Sequence, residues 1–445
     1  MNQIYVAFMD WRTASFNPKW GILCCSFPNT RQELSDRCRK CLTEKYGENP
    51  PEQIKARLEH ELWCLTGRPW SDSAYFLLLA RLAEKCISID VPHTIGDRGG
   101  TSFAAYLLGI TETNPLPPHK YCPDCGFVEF VDETNYESGF DLWSEPHAFG
   151  ACPRCGAKLT SDGHNLDSTH LFDDDGGLQS YFEIYVPVES QFVLFDFLEE
   201  LGELKTGLTQ EEAEEVEHNC VHNRIPNNRI QILGSCVLSQ IKELEKTTGI
   251  RSRSIQLPEI DLPAFFSNEN YIGFPYDAAT FRLLAERIHP VCFSDLVRAS
   301  GYTHGTGVWE GNAEQLISSG IRPIDTIAHR DDILQTLMRF GADRRTSLKM
   351  MHATRRGIIN RVLTPELAAL LQDKGVPDWY ISSMQKILYL YPKAHTIEWW
   401  IQYLRLIWYK CNYPDEYYAT LPEKSTTGRD GTGALFRWQI RRTAP

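Results

Sequence analysis

The sequence of 445 residues contains no apolar run approaching the ~18 residues that a membrane-spanning helix needs. Its first residues carry neither the basic segment nor the apolar stretch of a secretory signal. Basic residues are also in deficit, because 45 Lys and Arg oppose 58 Asp and Glu, for a net charge of −13. These features predict a cytoplasmic protein with no membrane partner. They also disfavour strong non-specific DNA binding, which depends on basic side chains that neutralise phosphates.

What the sequence does contain is enough apolar material for a large core. Hydrophobic residues make up 42% of the chain and aromatic residues 11%. The length allows two or three domains. The chain also has 14 cysteines, and without a secretory signal these are expected in a reducing compartment, as free thiols or metal ligands.

Two Cys-x-x-Cys pairs are the strongest chemical feature. Each pair has Pro after its first Cys and Gly after its second, and the members are Cys122, Cys125, Cys152 and Cys155. Four thiolates at this spacing favour one tetrahedral Zn²⁺ with a structural role, because no coordination position is left open. The alternatives are four unmetallated thiols, or a redox role, which the absence of a surrounding βαβ pattern disfavours.

Hydrophobic periodicity predicts amphipathic helices at 30–46, 52–66 and 73–87, the first with a capping box formed by Thr30 and Glu33. Short strands or an irregular segment are expected at 1–28, and mostly helices after residue 277. A helix at 209–221 and a disordered polar tail after Pro422 are also predicted. The predicted domain bounds are 1–121, 122–164, 165–234, 235–421 and 422–445.

A glycine-rich turn runs from Gly96 to Ser102. Such a turn between a strand and a helix can present backbone N–H groups to a triphosphate. Asp97 opposes this interpretation, because a carboxylate repels phosphate. The alternative is an ordinary tight turn.

Several segments together resemble the PolC-type DNA polymerase III alpha subunit, a bacterial family-C polymerase. They are Gly96 to Pro118, the two Cys pairs, Asp162-Gly163-His164, Thr303-His304-Gly305-Thr306-Gly307, and Tyr391-Pro392-Lys393-Ala394-His395. The resemblance implies an α+β fold: a reduced palm on a small mixed sheet, a zinc-bearing insertion and a mostly helical fingers domain. No segment resembles the family's exonuclease, phosphoesterase, helix-hairpin-helix, clamp-binding or oligonucleotide-binding elements, so a truncated core is expected.

The resemblance also implies DNA as a partner, with an incoming deoxynucleotide and replication proteins as further candidates. The corresponding nucleotide- or DNA-binding positions are Arg98, Gly99, Thr101, Ser102, His304, Arg330, Lys393 and His395. Residues 320–361 are rich in Arg, and Arg355 and Arg356 belong to a run that can share a helix face and follow phosphates. A solvated surface is the alternative for this run.

The family uses three aspartates to hold the two Mg²⁺ ions of nucleotidyl transfer. By position these acids have become Glu183, Tyr185 and Gln231, so only one carboxylate remains. Residues 173–217 also contain fourteen acidic residues against Lys205 alone, which disfavours a primer–template there. We therefore expect a catalytically compromised, DNA-binding or regulatory protein derived from a polymerase. The alternative is an active truncated DNA polymerase that uses Mg²⁺ through a rearranged site, with Glu259 and Asp261 on an extended segment as candidate ligands.

Overall fold

The computed structural model describes most of the chain between Asn2 and Leu421. The described ranges are 2–8, 19–25, 27–67, 72–96, 98–145, 150–172, 178, 182–206, 229–267, 271–272 and 274–421. The helix predicted at 209–221 and the tail after 422 lie outside these ranges. None of the described helices is both long and apolar enough to cross a membrane.

A six-stranded mixed sheet has the strand order β3-β7-β9-β1-β2-β8. Strand β9 is parallel to both β7 and β1, whereas the outer pairings are antiparallel. The strands of this sheet are β1 (Asn2–Phe8), β2 (Lys19–Cys25), β3 (Thr94–Ile95), β7 (Phe182–Pro187), β8 (Glu203–Thr206) and β9 (Arg229–Ser235). Residues from four separate parts of the chain therefore meet in one sheet.

A second, three-stranded antiparallel sheet has the order β5-β4-β6. Its strands are β4 (His119–Tyr121), β5 (Val128–Phe130) and β6 (Thr160–Asp162). Both Cys pairs lie in loops beside this sheet, one between β4 and β5 and the other before β6.

The three helices predicted before residue 90 are confirmed. They are α1 (Thr30–Tyr46), α2 (Glu52–Thr66) and α3 (Ser73–Ser88). Burial explains them: α1 buries Leu34, Cys38, Leu42 and Tyr46, one residue per turn, and α3 is buried on nearly every side. The predicted capping box is wrong. The N-cap of α1 is Asn29, and the Thr30 hydroxyl instead accepts a hydrogen bond of 2.8 Å from Ser73 on α3.

The remaining described α-helices continue this order, and the expected helical character after residue 277 is confirmed as far as residue 421. They are α4 (Phe103–Leu107), α5 (Gln191–Leu201), α6 (Cys236–Thr248), α7 (Leu262–Ser267), α8 (Ala278–Leu283), α9 (Phe293–His304), α10 (Glu314–Ser318), α11 (Arg330–Arg339), α12 (Arg344–Arg355), α13 (Ile359–Val362), α14 (Pro365–Asp373), α15 (Asp378–Lys386), α16 (Lys393–Asn412) and α17 (Pro414–Ala419). The protein is thus a mixed α/β chain of many helices and small sheets.

Three large apolar cores organise these elements. The first joins α1–α4 to β7 and β9, the second surrounds α6, α9 and α16, and the third is formed by α11, α12 and α15 with their neighbours. The long helix α16 is common to the second core and the sheet, because its buried Glu398 accepts hydrogen bonds from Thr94 of β3 (2.7 Å) and from Thr111. This contact fixes α16 against the edge of the six-stranded sheet.

The prediction of an extended segment around Glu259 and Asp261 is wrong. Leu257–Glu259 is a 3₁₀ turn, and Asp261 caps α7 by accepting a hydrogen bond of 2.9 Å from the Ala264 N–H. The two acids therefore do not alternate along a strand. The role of Asp261 in the described structure is to start a helix.

Candidate functional site

The three positions predicted to correspond to the family's acids lie together on one face of the six-stranded sheet. Glu183 on β7 and Gln231 on β9 are directly opposite in the parallel register, and Tyr185 follows Glu183 by two residues. Phe182, Ile184 and Val186 are buried on the other face. Because side chains alternate along a strand, Glu183 and Tyr185 share the half-buried face with Gln231.

The chemistry of this trio differs from that of three aspartates. The Tyr185 hydroxyl donates a hydrogen bond of 2.9 Å to Oε2 of Glu183, so the single carboxylate is already engaged by a neutral donor. Gly96 closes one side, since a Cβ atom there would lie 2.5 Å from the same Oε2. Nucleotidyl transfer by two metal ions needs several anionic oxygens, and tyrosine and glutamine supply none at neutral pH.

The glycine-rich turn is held from inside by an acid that sequence reasoning missed. Glu61 of α2 is fully buried and accepts hydrogen bonds from the Ser102 hydroxyl (2.8 Å), Phe103 N–H (2.9 Å) and Ala104 N–H (3.0 Å). Arg57 forms an ion pair of 2.6 Å with it. The donors at the start of α4 thus face a protein carboxylate, whereas one of the two interpretations of the sequence placed a phosphate there. An acid among the apolar positions of α2 is the sequence feature that could have revealed this.

The other residues of the turn differ in where their partners lie. Thr101 is fully buried and its hydroxyl donates to the Arg98 carbonyl (2.8 Å), so Thr101 and Ser102 both have internal partners. Gly99 is buried, with Ile95 and Phe182 occupying the space where a Cβ would be. Arg98 instead reaches out of the turn, and its guanidinium donates to the His170 carbonyl at 3.3 Å.

A cluster of charged residues begins at that contact. His170 Nε2 lies 2.9 Å from Oδ1 of Asp331, and Arg330 lies 3.9 Å from the other carboxylate oxygen. Burial alone would raise the pKa of Asp331, but His170 and Arg330 outweigh burial and hold that pKa below its ordinary range. His352 lies close by, and burial together with Arg355 lowers its pKa to about 4. The cluster is therefore rich in cations, with Asp331 as a buried anion at its centre.

The remaining predicted positions fall into two groups. Lys393 is buried and pairs with Glu137 at 3.5 Å, and Glu137 also binds Arg298, so Lys393 holds the base of α16. His304 and His395 belong to a file of rings. His304 stacks on Tyr391 (4.7 Å between centroids), and Tyr391 meets His395 edge-on (5.5 Å).

This file of rings extends to the sheet. His395 is followed one helical turn later by Trp399 (6.2 Å), and Trp399 meets Tyr185 edge-on at 5.2 Å. The ring contacts therefore connect Tyr185, one of the three predicted acid positions, to the predicted nucleotide-binding histidines. Sequence reasoning missed Trp399, although its spacing of four residues from His395 on a helix is the signal that could have found it.

Arg355 and Arg356 of the basic run differ in exposure. Arg356 is exposed, whereas Arg355 is half-buried beside His352. Arg344 of the same run pairs with Asp167 at 2.7 Å. Only part of the run therefore forms one surface.

The four predicted metal ligands come together as expected. The sulfur atoms of Cys122, Cys125, Cys152 and Cys155 all lie within 4.8 Å of one another, with Cys122–Cys155 at 3.4 Å and Cys125–Cys152 at 3.5 Å. A tetrahedral ion with metal–sulfur bonds of about 2.3 Å requires sulfurs about 3.8 Å apart, so the cluster can hold a metal ion. Among the described side chains, no other group of three or more His, Cys, Asp or Glu is placed to share an ion.

The two Cys loops have the same backbone design. The N–H of Cys122 bonds the Phe127 carbonyl (2.8 Å), and that of Cys152 bonds the Ala157 carbonyl (2.7 Å). Gly126 and Gly156 follow the pairs with φ of +69° and +82°, a conformation that favours glycine. The glycines singled out in the sequence thus allow the tight turns that bring the sulfurs together.

Comparison with known proteins found a family model that matches part of the chain. Residues 32–172 match the family model described as the bacterial DNA polymerase III alpha NTPase domain. The chain is thus related to bacterial DNA polymerase III alpha subunits.

The curated proteins to which it is similar include DNA polymerases III of the PolC type. It is 26% identical to the DNA polymerase III PolC-type of Caldanaerobacter subterraneus subsp. tengcongensis, over 89% of this chain and 34% of the relative. Identity is 28% for the Clostridium perfringens protein, over 89% and 33%, and 27% for that of Staphylococcus aureus, over 84% and 32%. The resemblance inferred from the sequence is confirmed. The chain spans about a third of the length of the curated relatives it matches.

Proposed function

We propose that this protein is a polymerase-derived DNA-binding protein that does not catalyse nucleotidyl transfer. The observation that carries the proposal is the trio on the sheet. Glu183, Tyr185 and Gln231 occupy one face in register, but they provide one carboxylate, and that carboxylate accepts a hydrogen bond from Tyr185. A site of this kind has the shape of a catalytic face without the negative charge that would retain two Mg²⁺ ions.

In this proposal the six-stranded sheet is the palm and the helices after residue 277 are the fingers. The half-buried ring file from Tyr185 to His304 lies between them, where nucleic acid would bind, whereas His170 and Arg330 are buried and would support this region from inside. The four cysteines hold Zn²⁺, since thiolates in a closed set of four suit zinc. Bound zinc would supply folding energy and no chemistry.

An active enzyme is the second candidate, and it is favoured by the names of the relatives, which are DNA polymerases, and by the retention of Glu183. It would require Mg²⁺ to bind with ligands beyond this trio. The two proposals make opposite predictions for incorporation.

The deciding experiment is single-nucleotide primer extension on a labelled primer–template, with Mg²⁺ and then Mn²⁺, at low salt and high protein concentration. We expect no incorporation, together with a shifted DNA band on a native gel that weakens as salt increases. Incorporation that survives purification and disappears in Glu183→Gln would establish the enzyme instead. If neither incorporation nor salt-sensitive binding is observed, DNA is not the partner and both proposals fail.

A further inference from the structure

One face of helix α12 is positively charged and unpaired. Arg345, Lys349 and Arg356 are exposed at positions i, i+4 and i+11, so they lie in one row about 16 Å long. In the part of the chain that the structure describes, these three side chains make no hydrogen bond or ion pair. This distinguishes them from Arg344, which binds Asp167. His352 lies in the same row, but it is neutral near pH 7 because burial and Arg355 lower its pKa to about 4.

The row ends against exposed apolar side chains. Gly357, with φ +66°, turns the chain immediately after Arg356, and a Cβ atom on it would lie 2.9 Å from the Leu388 carbonyl oxygen. The two backbones therefore touch. On either side of this contact, Ile358, Leu388 and Tyr389 are 37%, 58% and 45% exposed.

The apolar end is held firmly in place. Thr306 donates its N–H to the Tyr389 carbonyl (3.0 Å) and accepts the Leu388 N–H (2.9 Å). An exposed aromatic side chain on a fixed backbone, beside a row of cations, is the combination used to bind single-stranded nucleic acid. The phosphates contact the cations, and an unpaired base stacks on the ring. Duplex DNA would satisfy the cations only, since its bases are already stacked within the helix.

We propose that Arg345, Lys349, Arg356, Leu388 and Tyr389 form a binding surface for single-stranded DNA. The inference rests on the proposed function, which supplies DNA as the ligand, and it adds the strand state and the location. Charge complementarity supports it: the chain as a whole has a net charge of −13, yet this face presents three unpaired cations. Asp343, at the opposite end of α12, caps the helix by accepting a hydrogen bond from the Thr346 N–H.

The position of the surface relates it to the candidate functional site. Tyr391, two residues after Tyr389, belongs to the ring file. From Tyr391 the file runs through His395 and Trp399 to Tyr185 on the sheet. A strand that follows α12 and stacks on Tyr389 would thus be led toward Glu183, Tyr185 and Gln231 on the sheet. The surface would hold the unpaired part of a DNA whose end reaches these residues.

The test is fluorescence anisotropy of the full chain with a labelled oligonucleotide of about twelve nucleotides, single-stranded or annealed to its complement. We expect the single strand to bind more tightly. Tyr389→Ala should weaken single-strand binding by at least about 5-fold, whereas Tyr389→Phe keeps the ring and the affinity. Tyr418→Ala is the matched control, because Tyr418 is 52% exposed and lies on α17.

Charge is tested through the salt dependence. Each phosphate contact contributes about 0.7 to the slope of log K against log salt for a single strand, so Arg345→Gln/Lys349→Gln should reduce the slope by about 1.4. Lys246→Gln, at an exposed site on α6, should leave the slope unchanged. A 2-aminopurine base in the oligonucleotide should be quenched by the wild type and by Tyr389→Phe, but not by Tyr389→Ala.

Three results would overturn the proposal. Equal or tighter binding of the duplex, with no effect of Tyr389→Ala, would leave the proposed DNA-binding function standing and remove this surface from it. Tighter binding of the same sequence as RNA would refute DNA as the ligand of the surface. Absence of binding to any DNA would refute the proposed function itself.

Discussion

Glu61 is a buried carboxylate whose charge is used to organise the glycine-rich turn. It accepts three hydrogen bonds from residues 102–104 and pairs with Arg57. We expect Glu61→Gln to lower the free energy of unfolding by about 3 kcal/mol, because loss of the carboxylate leaves the Arg57 charge without its partner. In addition, the glutamine NH₂ group is a donor and would face the hydrogen-bond donors of residues 102–104. Urea unfolding followed by circular dichroism measures the change.

The neighbouring Glu59 provides the control. It pairs with Arg39 at 3.0 Å, but both side chains are more than half exposed. Glu59→Gln should therefore change the free energy of unfolding by less than about 1 kcal/mol. Similar losses in the two variants would show that the buried carboxylate has no special role.

His93 makes the stability of the fold depend on pH. It is buried, its ring lies 3.2 Å from a nitrogen of Arg253, and burial with this cation lowers its pKa to about 4. The unfolded chain takes up the proton near pH 6.5, so the stability contributed by neutral His93 is complete above pH 6.5 and is lost as the pH falls toward 4. The slope is at most about 1.4 kcal/mol per pH unit.

We expect His93→Gln to be less stable at pH 7.5 but to lose stability less steeply between pH 6.5 and 4.5. Urea unfolding at a series of pH values measures both effects. His60→Gln, which changes an exposed histidine of α2, should reproduce the wild-type slope. A slope that is unchanged in His93→Gln would assign the pH dependence to other groups.

At the scale of elements, local sequence predicted most helices and both Cys loops. Apolar residues at each turn of α1 and α2 specify a buried face within one segment, and Cys-Pro-x-Cys-Gly specifies a turn within five residues. The cap of α1 was not predictable, because the Thr30 hydroxyl is engaged by Ser73, 43 residues away. The segment from Leu257 to Asp261 misled for a similar reason. Its alternation of acids suits a strand, but among the described residues no strand pairs with it.

The Cys cluster gives the sharpest prediction at this scale. We expect about one equivalent of zinc per chain by metal analysis, and none in Cys122→Ser/Cys155→Ser, which should also melt at a lower temperature, because metal binding adds to folding free energy. Cys411→Ser changes an exposed cysteine of α16 and should retain the metal. Full zinc content in the double variant would exclude these four cysteines as the site.

At the scale of the whole molecule, the candidate site could be foreseen only in part. Alternation along β7 predicted that Glu183 and Tyr185 share a face, and the resemblance added Gln231. The contact of Tyr185 with Trp399, and that of Arg98 with His170, depend on how the sheet, the turn and α16 pack together. Such contacts are set by tertiary structure and have no signature in any short stretch of sequence.

If the absence of carboxylates at positions 185 and 231 prevents metal binding, aspartates introduced at both positions should allow it. We expect Tyr185→Asp/Gln231→Asp, with Glu183 kept, to bind Mn²⁺ detectably at the sheet, because three carboxylates would then share one face in register. Titration of zinc-loaded protein with Mn²⁺, followed by electron paramagnetic resonance, measures this directly. Tyr185→Asn/Gln231→Asn is the control, because its two asparagines have nearly the same volumes as the two introduced aspartates but carry no charge. It should bind no more Mn²⁺ than the wild type. Equal Mn²⁺ binding by the wild type would mean that Glu183 and its neighbours already form a metal site, and the proposal of an inactive polymerase core would fail.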